Sequence, residues 1–514
     1  MGLDGGLQDP TGQMPTPQIV QQLGMLSEWL RVATQAERVR EGLTRRVPEF
    51  ASGQLGLVGG RVQHLKYKDE KLHWVGTYVL TIEGPAPGQR RVVALQGTLI
   101  PPGQPEPECS AIGIAFGADA WRCYVPELRM EFQMAPPEKT LPAVPLLTDP
   151  QAARALLEQS LRARAPAYQD LRLQGCTPEV LHDHPGRRCT IRYRLEYPED
   201  LVSVAASHGW PEMVIGKTYS RNKGQIAYDG MRALWDSPLA RGDIVSIAEP
   251  LAYLPDPKML VQGPLRGELT LKELIKSALT SGTPVEMETL ADYVRKTAAG
   301  AAALHQSGVC DGEPITWQDT LTDIREEASQ LAPAAPAFAA AALALLAHLE
   351  TQATARPAGP LLPAHGDLKP AKVLVCEGQI GFVDFDTFCL AEPALDLAQF
   401  CATVKSTGLS GALSEEDEGE VGTSLPDREA CLARLAQLEP LCEAFLATYQ
   451  ALHPVSRQRI WLWEALELLS KVLHGWRKVN PDRVYLRMLL LERHLEGLLR
   501  AVPPGAQSSQ PGGA

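Results

Sequence analysis

The feature that most constrains this sequence is a short stretch, residues 364–400, in which aspartates stand at both ends of a predicted β-hairpin. It reads AHGDLKPAKVLVCEGQIGFVDFDTFCLAEPALDLAQF. Asp367 lies in a loop where Gly366 allows a sharp backbone turn. Two short β-branched runs follow, joined by the turn CEGQ, and the second run leads into Asp384. A hairpin of that length would bring Asp384 back beside Asp367.

Two carboxylates held together at strand ends repel each other unless a cation or a proton lies between them. Phosphoryl transfer uses this arrangement, because one Asp orients the substrate hydroxyl and another holds the Mg²⁺ that bridges the nucleotide phosphates. A capping or turn role is the simpler explanation for any single Asp. The ordered set of residues in this stretch favours the chemical interpretation.

The stretch resembles the aminoglycoside phosphotransferase and choline kinase-like family, which has a protein-kinase-like fold. Residues 365–367 match the HGD loop of that family, and Asp384 matches the aspartate that ends its hydrophobic strand. Residues 393–398 match the P-x-x-D-L-A start of its next helix. The resemblance implies that Asp367 is the catalytic base, that Asp384 binds Mg²⁺, and that Asp396 anchors the loop.

Two lysines follow the predicted base. Lys369 resembles the lysine that contacts the transferred phosphate in protein kinases, although a solvated loop lysine would fit the pattern equally well. Lys372 stands where the family has a metal-binding Asn, and an ammonium group has no acceptor with which to coordinate Mg²⁺. Lys372 therefore either neutralises phosphate directly, with Asp386 completing the coordination of Mg²⁺, or marks a site that binds nucleotide without catalysis.

Residues upstream fit the nucleotide-binding lobe that the resemblance implies. Lys217 lies in the predicted strand EMVIGKTYS, just before a predicted helix, where these kinases keep the lysine that clamps the α- and β-phosphates of ATP. The usual glutamate partner of that lysine is not obvious. Asp229 is one candidate, and Gln225 lies nearer the usual place.

The predicted lobe has no G-x-G-x-x-G phosphate loop. A turn rich in His and Arg occupies its position, and there Arg187 or Arg188 could contact phosphates. Gln262 and Gly263 lie in the segment MLVQG, which resembles the hinge that receives adenine. These four residues, with Lys217, are the predicted nucleotide-binding set.

The 514 residues exceed what one hydrophobic core usually serves, so several domains are expected. We predict an α+β chain with a bilobal protein-kinase-like fold, which has a β-rich N-lobe and a helical C-lobe, preceded by a mostly β N-terminal domain. The predicted segments are a flexible lead (1–18), a cap-like α+β domain of unknown role (19–150), the N-lobe (151–265), the helical C-lobe (266–502) and a disordered tail (503–514).

Local patterns predict the elements of these domains. Thr16 to Thr44 has apolar residues at helical spacing, and Pro150 to Arg164 is predicted as a helix. AWRCYVPELRMEF and IVSIAEPLAYL are each predicted as a strand. The acidic stretch 408–427 is predicted as a solvated loop. Trp461, Trp463 and Trp476 could stack on a sugar, although their helical spacing is more typical of a core.

One faint internal repeat is present. HLKYKDEKLHWVGTYVLTIE and LHDHPGRRCTIRYRLEY share a turn-strand pattern, with Tyr78 and Tyr193 at matching places. Unrelated β-hairpins often look alike, which is the simpler interpretation. The alternative is that the N-terminal domain is a degenerate copy of the strand-rich lobe, without its lysine.

Charge and composition narrow the partners. A net charge of −12 speaks against nucleic-acid or anionic-membrane binding. The 10 cysteines have no metal-site spacing, and the first residues lack a signal-peptide pattern, so a reducing cytoplasmic location is expected. The resulting hypothesis is an ATP- and Mg²⁺-dependent transferase acting on a hydroxyl of a sugar, an amino alcohol or an aminoglycoside. A nucleotide-binding pseudokinase is the alternative, and a structural protein that merely retains the fold is a third.

Overall fold

The computed structural model describes residues 23–68, 73–85, 88–107, 114–137, 140–267, 269–410 and 426–501. The predicted flexible lead, most of the acidic stretch and the predicted disordered tail lie outside these residues. In the described part, sheets dominate before residue 270 and helices dominate after it. The predicted α+β class is therefore confirmed.

The N-terminal unit (residues 23–137) consists of short helices followed by a five-stranded antiparallel sheet. Its elements are α1 (Glu28–Arg31), α2 (Ala36–Arg46), α3 (Pro48–Ala51), β1 (Gly56–Lys68), β2 (His73–Glu83), β3 (Arg90–Leu99), β4 (Arg122–Val125) and β5 (Met130–Met134). The strand order is β1-β2-β3-β5-β4. Burial alternates along the whole of β2, because successive side chains of a strand point to opposite faces.

Two elements of this unit differ from the sequence prediction. AWRCYVPELRMEF forms two strands instead of one, and Val125 of β4 pairs with Met130 of β5 across a tight turn. Pro126 interrupts the strand because it has no N–H for the ladder, and Arg129 adopts a left-handed φ of 50°. The predicted helical stretch up to Thr44 is also divided, because Gln35 is extended between α1 and α2.

The strand-rich lobe (residues 140–267) contains a second five-stranded antiparallel sheet. Its elements are α4 (Val144–Thr148), α5 (Pro150–Arg164), β6 (Gly175–His184), β7 (Arg188–Glu196), α6 (Val202–His208), β8 (Met213–Tyr219), α7 (Lys223–Asp236), β10 (Pro250–Leu254) and β11 (Met259–Gln262). α5 has the predicted bounds because the Asp149 side chain caps it, accepting from Ala152 N at 2.7 Å. The strand order is β10-β11-β8-β7-β6.

The described residues of the helical lobe (269–410 and 426–501) form eight helices and the short strands around the predicted catalytic loop. The helices are α8 (Leu271–Ser281), α9 (Pro284–His305), α10 (Trp317–Leu331), α11 (Pro336–Thr354), α12 (Ala394–Ser410), α13 (Arg428–Leu452), α14 (Arg457–Arg477) and α15 (Pro481–Ala501). The strands are β12 (Leu269–Thr270), β13 (Pro314–Ile315), β14 (Leu362–Ala364), β15 (Val373–Cys376), β16 (Gln379–Phe382) and β17 (Cys389–Ala391). Among the described helices, none is long and apolar enough to cross a membrane.

The predicted strand IVSIAEPLAYL divides between the two lobes. Its first part is β9 (Ser246–Ile247), which pairs in parallel with β16 and belongs to the sheet β12-β15-β16-β9. Its second part, β10, belongs to the sheet of the strand-rich lobe. This segment therefore connects the sheet of the strand-rich lobe to the hairpin that leads into the predicted metal ligand.

The two five-stranded sheets have the same topology. Counted from their first strands, the orders β1-β2-β3-β5-β4 and β6-β7-β8-β11-β10 are equivalent, and all pairs are antiparallel. A helix also precedes each sheet in the chain and packs on its two edge strands. Helix α2 packs on β1 and β4, and helix α5 packs on β6 and β10.

The inner faces repeat as well. In each sheet a fully buried Tyr and a Met crowd one strand glycine. The two sets are Tyr78, Gly97 and Met130 in the first sheet and Tyr193, Gly216 and Met259 in the second. A Cβ on Gly97 would lie 2.7 Å from both neighbours, and one on Gly216 would lie 2.8 and 2.9 Å from them. The next residue is Thr98 in the first sheet and Lys217 in the second. These repeats favour the interpretation that the N-terminal unit is a degenerate copy of the strand-rich lobe without its lysine.

The N-terminal unit packs on the helical lobe and shares one hydrophobic core with it. Trp74 Nε1 donates to Trp476 O at 3.2 Å, and the Tyr67 hydroxyl donates to Gln330 O at 2.7 Å. The face of the second sheet that packs on α5 has a separate core. Tyr219 and Leu260 of the second sheet belong to the core that the N-terminal unit shares with the helical lobe.

Candidate functional site

The HGD loop is fixed from behind by a buried carboxylate. Asp396, in the first turn of α12, accepts from His365 N at 2.8 Å and from Gly366 N at 2.9 Å. His305 Nε2 lies 3.1 Å from the same carboxylate, and its Nδ1 contacts the Tyr449 hydroxyl. Burial alone would raise the pKa of Asp396, but the bond and charge of His305 keep it below its ordinary value. These are the contacts of a loop anchor, and His305 is fully buried beside it.

The loop backbone is also pinned at its glycine. Gly366 has a φ of +74°, and a Cβ there would lie 2.1 Å from Thr387 O, so only glycine fits. The Thr387 hydroxyl donates to His365 O at 3.2 Å, and Gln399 Nε2 donates to Gly366 O at 3.1 Å. Sequence reasoning missed Thr387 and Gln399, which have no signal beyond their closeness to the motif.

The predicted base is accessible and paired with a lysine. Asp367 Oδ2 lies 2.7 Å from Lys369 Nζ, and the two side chains are 37% and 33% exposed. A carboxylate this exposed can meet a ligand, and the ion pair with the Lys369 ammonium orients it.

Asp384 is the meeting point of the two lobes. Its Oδ1 accepts from Lys217 Nζ at 2.9 Å and from Arg188 Nη1 at 3.4 Å, and its Oδ2 contacts the ammonium of Lys372. Asp384 has a left-handed φ of 71°, which a non-glycine residue adopts only when its surroundings hold it there. Burial, and after it the positive charge of Lys369, lower the pKa of Lys372 to about 8.

Asp386 is held by the strand-rich lobe. Its Oδ1 accepts from the Tyr219 hydroxyl at 2.7 Å, and its Oδ2 accepts from Arg188 Nη1 at 3.0 Å. Burial, then the Asp386 charge, raise the pKa of Tyr219 well above its ordinary value. Tyr219 was missed by sequence reasoning, although it ends the strand that carries Lys217.

The contacts of Asp384 and Asp386 decide whether these carboxylates, as arranged, could bind Mg²⁺. All four oxygens of Asp384 and Asp386 contact protein donors, and three of those donors are the cations Arg188, Lys217 and Lys372. The described residues contain no group of three or more His, Cys, Asp or Glu side chains that could hold a metal ion. As arranged, this donor set does not fit Mg²⁺, because coordination would require Lys372 and Arg188 to move away.

The other predicted nucleotide-binding residues lie at the end of β11, which pairs with β8, and in the β6–β7 turn. Gln262 ends β11 and is buried, and its Oε1 has no hydrogen-bond partner among the described residues. The Gly263 N–H donates to Glu249 O at 2.8 Å, so it is engaged within the protein. Arg187 is exposed in the β6–β7 turn and, within the described residues, pairs with no carboxylate.

The suggested partners of Lys217 lie elsewhere. Gln225 Nε2 donates to Asp229 Oδ1 at 2.8 Å on the surface of α7, and the ion pair of Lys217 is with Asp384 instead. The helix preference for i,i+4 contacts explains why Gln225 and Asp229 bond to each other. Trp463 and Trp476 are buried in the core, so they offer no surface on which a sugar could stack.

Comparison with known proteins gives one sequence match and several similar structures. Residues 272–429 match the sequence model described as the phosphotransferase enzyme family, APH. None of the curated proteins compared with the chain matches it. A glucosamine kinase in complex with glucosamine, ADP and inorganic phosphate is 16% identical, with a TM-score of 0.45 over 90% of this chain and 99% of that one.

Two further structures are similar at the same level. Choline kinase from Cryptosporidium parvum Iowa II is 12% identical, with a TM-score of 0.44 over 67% of this chain and 96% of that one. A GDP complex of an aminoglycoside 2'-phosphotransferase is 15% identical, with a TM-score of 0.40 over 67% of this chain and 98% of that one. The family resemblance inferred from residues 364–400 is confirmed by the sequence match, which contains the whole HGD-to-DLA stretch.

Proposed function

We propose that this protein is an ATP-dependent phosphotransferase that moves the γ-phosphate to a hydroxyl of a small molecule such as a sugar, an amino alcohol or an aminoglycoside. One observation carries the proposal. Lys217 of the strand-rich lobe lies 2.9 Å from Asp384 of the helical lobe, in the cleft beside the HGD loop. Phosphoryl transfer depends on positioning and on charge at such a junction.

The cations and Gln262 would bind the nucleotide. The ammonium groups of Lys217 and Lys372 and the guanidinium of Arg188 would receive the phosphate oxygens, exchanging their bonds to Asp384 for bonds to nucleotide. The unpaired Oε1 of Gln262 offers an acceptor to the exocyclic amine of adenine.

Asp367 would accept the proton of the substrate hydroxyl while the oxygen of that hydroxyl attacks the γ-phosphorus. The bond between the γ-phosphorus and the bridging oxygen breaks, and ADP leaves with the electron pair. Lys369, 2.7 Å from Asp367, orients the carboxylate for this role. The coordination of Mg²⁺ by Asp384 and Asp386 stays a prediction.

The test is ATP consumption against a panel of sugars, amino alcohols and aminoglycosides. We expect one class to be turned over, and Asp367→Asn to lower kcat about 100-fold or more, the usual effect of losing a positioned base. Asp292→Asn is a matched control, because Asp292 forms a 2.7 Å pair with Lys296 on the exposed face of α9. Absence of turnover throughout the panel, or unchanged kcat in Asp367→Asn, would refute the proposal.

A nucleotide-binding pseudokinase is the second candidate, and Lys372 is the observation that favours it. Its ammonium contacts Asp384, where a family member would carry a metal-binding amide. Nucleotide affinity measured with Mg²⁺ and with a chelator separates the candidates. Metal-independent binding without turnover supports the pseudokinase, and Lys372→Asn should then raise the dependence on Mg²⁺. A structural protein would bind no nucleotide in either condition.

A further inference from the structure

Six cationic side chains from three distant parts of the sequence gather beside the cleft, although the chain as a whole carries a net charge of −12. We call them the basic patch. They come from the end of β1, from the β6–β7 turn, and from the end of α14 and the start of α15. They are Lys66, Lys68, Arg187, Lys478, Arg483 and Arg487.

Packing of the β1–β2 hairpin fixes one side of the patch. Tyr67 points into the core, where the guanidinium of Arg477 lies 5.7 Å from the centre of its ring. Because side chains alternate along a strand, Lys66 and Lys68 point to the opposite, exposed face. The bond between Trp74 and the carbonyl of Trp476 holds this hairpin on the end of α14, where Lys478 follows.

The positive charges of the basic patch repel one another. Burial and then Lys68, Arg187 and Lys478 lower the pKa of Lys66, and burial and then Arg483, Arg487 and Arg187 lower that of Lys478. In the described parts of the chain, Lys66, Lys68, Arg187, Lys478 and Arg483 form no ion pair with a carboxylate. The charge of Glu467 raises the pKa of Arg487, against the effect of burial, but Glu467 is itself paired with Lys471 at 2.7 Å.

The basic patch adjoins the proposed phosphoryl-transfer site. Arg187 directly precedes Arg188, whose guanidinium lies 3.0 Å from Asp386. The Arg187 carbonyl accepts from Ser220 N at 2.9 Å, next to Tyr219, which also bonds Asp386. The patch therefore continues, through Arg187, into the residues that contact Asp386.

We propose that the basic patch binds an oxyanion of the acceptor, so that the phosphorylated molecule is a hydroxyl compound that also carries a phosphate or carboxylate group. This rests on the proposed function. Clustered cations, most of which form no ion pair with a carboxylate of the described residues, attract such a group and orient the rest of the molecule. It also gives the N-terminal unit a role, because Lys66 and Lys68 come from its first hairpin.

The test uses inorganic phosphate as the probe and the full chain as the protein. Phosphate is titrated in the presence of saturating ADP, so that the nucleotide site is occupied, and again without ADP. We expect Lys66→Gln combined with Lys478→Gln to weaken phosphate binding at least about fivefold, the loss typical of charge-assisted hydrogen bonds. The control pair, Arg38→Gln with Lys272→Gln, removes two exposed positive charges elsewhere and should leave binding unchanged.

Further measurements on the same variant check that it folds and that the bound anion belongs to the acceptor. Because the two lysines repel their neighbours, the Lys66→Gln, Lys478→Gln protein should unfold at the same temperature as wild type or higher. Its ADP affinity should be unchanged, and its KM for an anionic acceptor should rise while that for an uncharged acceptor does not.

Three results overturn the inference: wild type that does not bind phosphate, equal weakening in the control pair, or a parallel loss of ADP affinity, which would assign the patch to the nucleotide. Failure of the proposed function is distinct, because it shows as absence of ADP binding or turnover while phosphate binding is still measured on its own.

Discussion

Lys217 Nζ lies 2.9 Å from Asp384 Oδ1, and both side chains are 11% exposed. The pair joins β8 of the strand-rich lobe to the residue that follows the β15–β16 hairpin of the helical lobe. Burial lowers the pKa of Lys217, and the neighbouring Asp386 opposes that shift, so the lysine depends on carboxylates for its charge. A nucleotide would take over that partnership.

We expect Lys217→Met to weaken nucleotide binding by about tenfold or more, because a buried charge that meets phosphate is lost. A titration monitored by fluorescence or calorimetry measures this change. Lys272→Met, which removes an exposed lysine on α8, should leave the dissociation constant unchanged. Equal affinities in Lys217→Met and wild type would exclude Lys217 from the nucleotide site.

Gly366→Ala should destabilise the protein more than Gly308→Ala. The two glycines have nearly the same φ, +74° and +75°, but a Cβ at Gly366 would lie 2.1 Å from Thr387 O, whereas one at Gly308 would contact nothing within 4 Å. A left-handed alanine alone costs about 1–2 kcal/mol. Denaturant unfolding should therefore show that loss for Gly308→Ala, and a larger loss with reduced turnover for Gly366→Ala. Equal losses would mean that the loop can shift freely.

Lys405→Met should cost about 3–5 kcal/mol of unfolding free energy, because it leaves Glu464 charged and buried. The two side chains form a 2.6 Å pair beside a cavity of about 270 Å³ in the helical lobe. Lys296→Met breaks a 2.7 Å pair at exposed positions on α9 and should cost no more than about 1 kcal/mol. Chemical denaturation compares the two, and similar losses would contradict the burial argument.

The stability of the protein should fall as the pH drops from about 6.5 toward about 4. Desolvation and then the cations Lys478, Arg487, Lys471 and Arg477 lower the pKa of His474 from 6.5 to about 4. In that window the unfolded chain binds a proton that the folded chain does not, so folding is penalised. His474→Gln should make the pH dependence shallower in urea unfolding between pH 7 and pH 4.5.

The exposed residue His184 provides the control, since His184→Gln should keep the wild-type slope. An unchanged slope in His474→Gln would show that other groups dominate acid unfolding. A bound anion at the basic patch should also raise the pKa of His474, which nuclear magnetic resonance can follow.

Sequence reasoning reached the parts of the site that lie close together in the chain. The HGD loop, the hairpin and the helix start at Asp396 have a local signature, because turn chemistry and spacing specify them. Contacts between distant segments were beyond it. Lys217 was placed in the correct strand, but its pairing with Asp384, 167 residues away, required the packing of the lobes.

The misjudged elements have local causes that a pattern of apolar residues does not report. The β4–β5 turn depends on the left-handed Arg129, and the division of IVSIAEPLAYL depends on which sheet each half can join. The internal repeat was weak in sequence because only a few positions, such as Gly97 and Gly216, are fixed by contact. Thr98 in place of Lys217 removed the most recognisable residue of the copy.

The bond from Trp74 to Trp476 spans 402 residues of sequence. During synthesis at roughly 5–20 residues per second, the first sheet would wait about 20–80 seconds before the helix that covers Trp74 emerges. Until then an apolar face of the N-terminal unit stays uncovered on the ribosome. The order of synthesis thus leaves this sheet open to chaperones or to wrong partners until α14 is complete, and truncations before the end of α14 should leave an aggregation-prone nascent product.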